Sequence, residues 1–186
     1  MNAAHEQRTG MARGAQGSTA AREPSGLWWL PVTAAVIAVD QLVKLWIVDH
    51  LALYRTVRLL PVLDITLTYN RGAAFSFLAE ASGWQKWLFA GLAVAVAAGI
   101  AVWLRHLGGR SQRLLCLSLT LIMGGALGNL IDRLRIGHVV DFILAHWHRV
   151  YFPWAFNVAD SAITVGAALL LLDAFLESRA PKQEKI

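Results

Sequence analysis

Apolar residues fall into four long runs, about 27 to 48 (LWWLPVTAAVIAVDQLVKLWIV), 86 to 104 (KWLFAGLAVAVAAGIAVWL), 113 to 131 (RLLCLSLTLIMGGALGNLI) and 156 to 176 (FNVADSAITVGAALLLLDAFL). Each approaches the roughly 20 residues that a membrane-spanning helix needs. Between the first two runs the period changes: in LDITLTYN, Leu63, Ile65, Leu67 and Tyr69 alternate with Asp64, Thr66, Thr68 and Asn70. Such alternation predicts a half-buried strand. With VRLLPV before it, the segment predicts a small antiparallel sheet, its apolar face on the bilayer surface and Pro61 at a turn or an edge. The predicted fold is an α-helical integral membrane protein: four transmembrane helices, a small β-sheet, and an interfacial segment after the third span.

The ends carry no such pattern. Residues 1 to 26 are rich in Ala, Gly, Ser and charge, and predict a disordered cytoplasmic leader. The run that follows is too long for the core of a cleavable signal and contains Asp40 and Lys44. Residues 177 to 186 predict a cytoplasmic tail, leaving 27 to 176 as the membrane domain.

Composition agrees: 56% of the 186 residues are hydrophobic and 16% charged, against roughly 25% charged in soluble domains. The net charge of +5 comes from basic clusters flanking the apolar runs, without the basic face a nucleic-acid site would show. These clusters set orientation instead. Arg105, Arg110 and Arg113 between the second and third runs, with Arg8, Arg13, Arg22, Arg179, Lys182 and Lys185 in the tails, place linker and termini on the cytoplasmic side. Arg55, Arg58, Arg71, Arg133, Arg135 and Arg149 on the other side temper the bias. Cys116, the sole cysteine, lies within an apolar run, where packing is the favoured role. Most of the eight Trp sit near span ends, as interfacial belts do.

A charge in mid-span costs about 2.5 to 3.5 kcal/mol on insertion scales, so each calls for a reason. The orientation collects nearly all of them at the outer surface: Asp40 and Lys44 in the outer half of span one, Asn129, Asp132 and Arg133 at the end of span three, Asn157 and Asp160 at the start of span four. Asn70, His138 and Asp141 lie on the outer connections. Residues three or four apart share a helix face, so Asp40 pairs with Lys44, for which a structural ion pair is the favoured role, and Asn157 shares a face with Asp160 and Ser161. Gly124, Gly125, Ala126 and Gly128 favour close helix packing. Asp141 sits between Val139, Val140 and Phe142, Ile143, where desolvation raises a carboxyl pKa. If it meets Asp160, the two share one proton and can activate water as an acid–base pair. Spacing alone supports this weakly. His146 and His148, with His138 nearby, lack a third close ligand or an HExxH frame, so no metal is assigned.

Five ordered motifs, DQLVK (40 to 44), YNRGAAFSF (69 to 77), GGALGNLIDR (124 to 133), GHVVDF (137 to 142) and FNVADSAITVG (156 to 166), resemble the bacterial lipoprotein signal peptidases, signal peptidase II. The likeness spans about residues 27 to 176; the leader is longer than the family leads one to expect. The resemblance implies a cofactor-free aspartyl endopeptidase of the inner membrane with a periplasmic β-cradle, working as a monomer with its active site facing the periplasm. Its substrate would be a prolipoprotein whose cysteine carries a diacylglyceryl group, cut on the amino side of that cysteine. By motif matching Asp141 and Asp160 are catalytic, with Asp132 a competitor for the first role. Asn129, Arg133 and Asn157 would hold the substrate backbone and support the pair; Asn70 and Gly72 would line the cleft, and Asp40 with Lys44 would brace helix one. A proton-coupled transporter or channel component, or a structural scaffold, are the rival readings.

Overall fold

A computed structural model of the chain describes residues 23–71, 84–148, 150–152 and 154–179. A single 3-10 turn, Gly26–Trp29, leads into α1 (Leu30–His50). There follow strands β1 (Thr56–Leu60) and β2 (Leu63–Asn70), helices α2 (Trp84–His106) and α3 (Arg113–Ile136), strands β3 (Val139–Trp147) and β4 (Val150–Tyr151), and α4 (Val158–Arg179). All four helices are long and apolar enough to cross a membrane.

α3 is the centre of the bundle. Of its most apolar stretch 61% is buried, against 17 to 22% in the other three helices, because small side chains let its neighbours close in. A Cβ on Gly124 would stand 2.8 Å from Val36 of α1, and one on Gly125 would collide with the Ala159 carbonyl of α4. This is the small-residue packing expected where lipid removes the hydrophobic drive between helices. A core of Ile100, Leu104, Leu115, Cys116, Leu119 and Met123 joins α2 to α3.

α3 outruns its apolar run by more than a turn. The hydropathy ends near Ile131, but the helix continues to Ile136 and stops at Gly137, in the left-handed conformation at φ 81°, whose N–H donates to the Arg133 carbonyl. A glycine C-cap ends a helix by backbone geometry, which hydropathy does not register. Asp132 and Arg133 therefore lie on a continuing helix, with Asp132 buried.

The four strands form one antiparallel sheet in the order β1-β2-β3-β4. β2 occupies the LDITLTYN segment, and Pro61–Val62 make the turn from β1. The polar face, which the alternation leaves open, is partly covered. Asp64 and Thr66 are buried while Tyr69 is exposed, since Tyr151 donates to Asp64 Oδ2 (3.3 Å) and His146 Nε2 lies 3.3 Å from Asp64 Oδ1. A register shift between Ile65 and Thr68 also turns Leu67 inward, onto Ile47, Val140 and Phe142. β3 and β4 were expected only as an interfacial segment. β3 is inward-facing over four successive residues, Val139 to Phe142, and so shows no alternation to read.

Candidate functional site

The polar residues of the outer helix ends converge where α1, α3 and α4 meet β3, and α4 supplies the organising piece. Asn157 precedes the helix, and its Oδ1 accepts the Asp160 backbone N–H (2.9 Å), while Asp160 Oδ2 accepts the Asn157 backbone N–H (3.2 Å). This is a reciprocal capping box, in which each residue's side chain satisfies the backbone amide of the other. The N-terminal end of the helix dipole favours negative charge at that place.

The same asparagine reaches the second acid. Asn157 Nδ2 donates to Asp141 Oδ1 (2.7 Å), and lies 3.2 Å from the Val140 carbonyl and 3.1 Å from Asn129 Oδ1. Asn129 Nδ2 in turn donates to Asp160 Oδ1 (2.7 Å). One residue at the start of α4 thus touches both carboxylates, Asp141 through its side-chain amide and Asp160 through its backbone N–H, and Asn129 closes the circuit from α3.

Beneath them sits a buried charge cluster. Lys44 Nζ lies 2.8 Å from Asp40 Oδ2, 2.8 Å from Asp132 Oδ2 and 3.0 Å from Asn129 Oδ1, which uses all three ammonium donors. Because Lys44 only donates, it fixes the Asn129 amide with its oxygen inward. Asp40 Oδ1 accepts the Ala159 N–H (2.9 Å) of α4, and Asp132 Oδ2 the Val140 N–H (3.2 Å) of β3. The cluster therefore ties four elements together through α1. Satisfaction of every partner is what makes a buried ion group tolerable.

Asp141 is 2% exposed. Burial, and next the nearby charge of Asp160, push its carboxyl from 3.8 up to about 7, against hydrogen bonds from Asn70 and Asn157 and the charge of Lys44. Arg133 lies within electrostatic range of Asp160, Asp141 and Asp132, and its guanidinium stands 5.2 Å over the Phe89 ring. Among these residues four carboxylates, Asp40, Asp132, Asp141 and Asp160, face two cations, Lys44 and Arg133. A proton retained on one of the acids reduces that imbalance.

Gly72 lies outside the described residues. Gln41 was missed. Its Nε2 lies 3.0 Å from Asp132 Oδ1, 3.2 Å from Asp40 Oδ2 and 3.2 Å from the Gly128 carbonyl, joining the two acids that hold Lys44. A neutral polar residue beside Asp40 inside an apolar run was the available signal. The two histidines of the HxH differ in setting: the His146 ring is buried against Asp64, with Nδ1 3.3 Å from the His148 carbonyl, while His148 is exposed at φ 54°. Among the described residues no three His, Cys, Asp or Glu side chains form a group fit to hold a metal.

The profile of the family described as "Signal peptidase (SPase) II" matches residues 32–176. A lipoprotein signal peptidase of Pseudomonas syringae pv. tomato is 56% identical over 151 residues, 80% of this chain and 86% of the relative. One from Pseudomonas aeruginosa is 52% identical over 154 residues, 82% of this chain and 90% of the relative. A solved bacterial membrane enzyme superposes with a TM-score of 0.73 at 27% identity, over 86% of this chain and 94% of that one.

Proposed function

The chain belongs to the signal peptidase II family, and from that premise we propose an aspartyl endopeptidase in which Asp141 and Asp160 share one proton. As a multi-pass membrane protease of this family it removes signal peptides from lipoprotein precursors. The substrate is a prolipoprotein carrying a diacylglyceryl cysteine, cut on the amino side of that cysteine. The protein sits in the bacterial inner membrane with its carboxylates toward the periplasm and both termini in the cytoplasm, and acts as a monomer without a cofactor.

The observation that carries the reading is the contact of one residue, Asn157, with both carboxylates at the mouth of α4, its side-chain amide on Asp141 and its backbone N–H on Asp160. Asp141, buried and pushed up to about 7, holds the shared proton. Asp160 receives donors from Asn129 and the Asn157 backbone, which suits a carboxylate. It takes a proton from a water molecule, whose oxygen attacks the scissile carbonyl as Asp141 passes its proton to the carbonyl oxygen. The tetrahedral intermediate collapses when the proton held by Asp160 moves to the leaving amine and a hydroxyl proton of the intermediate returns to Asp141, which restores the starting state. Arg133, Asn129 and Asn157 orient substrate and acids, Asn70 and Gly72 line the cleft, and Asp40 with Lys44 brace helix one. Asp132 is a positioning residue, since Lys44, Gln41 and the Val140 amide occupy its oxygens. The acids collect at one end of the bundle instead of marking a path through it, which disfavours the proton-relay alternative.

Asp141→Asn and Asp160→Asn should each lower cleavage of a diacylated prolipoprotein by about 10²- to 10⁴-fold, with uncut precursor accumulating and membrane insertion intact. Full cleavage by either variant removes the pair from the mechanism. Activity should survive a chelator; its loss would return His146 and His148 to consideration.

A further inference from the structure

The end of the bundle away from the carboxylates holds a cavity of about 570 Å³ that the proteolytic chemistry does not use. It opens between the start of α1 and the α2–α3 connection, with Trp28, Pro31 and Val32 on one side and Arg110 and Arg113 on the other. Arg113 is 16 residues before Asn129 on α3, about 24 Å at the helical rise. The cavity therefore lies at the opposite membrane surface.

Its frame is built. The Trp29 indole donates to the Gly109 carbonyl (2.8 Å), the Gly26 N–H to Leu107 (2.8 Å) and the Gly109 N–H to Pro24 (2.8 Å). Glu23 accepts the backbone amides of Arg110 and Ser111 and the Ser111 hydroxyl. The Glu23 carboxylate is thus engaged by the turn, lies within electrostatic range of Arg110, and is not among the residues that line the cavity. Arg113 spends Nε on the Arg110 carbonyl (3.0 Å). Among the described residues, the Arg110 guanidinium and the terminal nitrogens of Arg113 have no hydrogen-bond partner. Two cations with free donors thus stand over an apolar wall at a helix-end surface, and Trp28 is 74% exposed beside them.

We propose that this cavity binds the headgroup phosphate of an anionic phospholipid, Arg110 and Arg113 holding the phosphate while Trp28, Pro31 and Val32 receive the glycerol and upper acyl carbons. Charge complementarity selects the anion, since basic residues at the membrane surface attract anionic headgroups, and guanidinium donors match phosphate oxygens in geometry. The apolar wall selects a lipid over a free anion.

Native mass spectrometry of the full chain in neutral detergent, titrated with phosphatidylglycerol or phosphatidylcholine, tests this. Phosphatidylglycerol should be retained preferentially, with inorganic phosphate a poor competitor. Replacing both arginines (R110A with R113A) should weaken retention about 25-fold, at roughly fivefold for each cation, while R179A, which removes a charge from the same end of the bundle, leaves it unchanged. Prolipoprotein cleavage in detergent by the double variant should stay at the wild-type level, showing an intact fold. Equal retention of the two lipids, unchanged retention by the double variant, or an equal loss in R179A overturns the site. Ready displacement by inorganic phosphate overturns the lipid as its occupant.

Discussion

Asp141 and Asp160 are held by different elements and different donors although both are aspartates. Asp160 completes the capping box of its own helix, so its ionised form stabilises α4. Asp141 is buried in a strand, and burial pushes its carboxyl up to about 7. A raised carboxyl binds its proton more tightly in the folded chain. Stability is therefore fully present below the unfolded value near 4 and falls as pH rises toward about 7, by about 1.4 kcal/mol for each tenfold drop in proton concentration between the two. Asp141→Asn should consequently raise the melting temperature in detergent, more at pH 8 than at pH 5. Asp160→Asn should lower it, through a loss of about 1 kcal/mol in stability, because one amide oxygen replaces two acceptors at the helix start. For the wild type, kcat/KM should decline as pH rises through about 7, where the pair loses its shared proton; a profile flat to pH 9 would contradict the assignment. These differences were partly legible. The apolar neighbours of Asp141 announced its burial, and the spacing of Asn157 and Asp160 allowed a cap. The reciprocal geometry of that cap, and the role of uncharged Gln41, needed the structure.

Helix α4 owes its position to what α3 lacks. Gly125 admits the Ala159 carbonyl, one residue before Asp160, and Gly166 lies close to the Ser118 carbonyl (2.7 Å from a built Cβ). Gly125→Val should force the start of α4 outward, costing about 1 to 3 kcal/mol and most of the cleavage activity, since Asp160 moves with it. Gly99→Ala on α2, where a Cβ meets nothing within 4 Å, is the matched control and should be neutral or slightly stabilising. Thermal melting alongside a cleavage assay distinguishes the two. At this scale apolar length located all four helices, and the alternation of Leu63 to Asn70 located β2. It failed at β3, because a strand covered on both faces has no period to detect. It also missed the cover over the polar face of β2, since that cover, Tyr151 and His146, comes from 80 or more residues further along.

Across the molecule, the buried charge cluster around Lys44 and the arginines of the α2–α3 connection occupy opposite ends of one bundle. The native thiol, Cys116, is 0% exposed, so introduced cysteines report alone. With a membrane-impermeant maleimide, Tyr54→Cys, at a position 73% exposed in the approach to the sheet, should be labelled in intact spheroplasts, and His106→Cys at the end of α2 only after lysis. The reverse pattern would invert the topology. The central place of α3 has a further consequence, in time. α3 packs against each of the other helices and carries Asn129 and Asp132, two of the three groups that grip Lys44. During synthesis α1 enters the membrane two spans before those partners exist. Through that interval Asp40, one helical turn from Lys44, is the partner already in place. Lys44→Met should then show its largest defect in nascent chains that end after α2, where it leaves Asp40 unneutralised in lipid; equal insertion of such truncated chains with Lys or Met would contradict it. The i to i+4 spacing of this pair serves the newborn helix as a portable counterion, carried through the insertion machinery until the rest of the enzyme arrives.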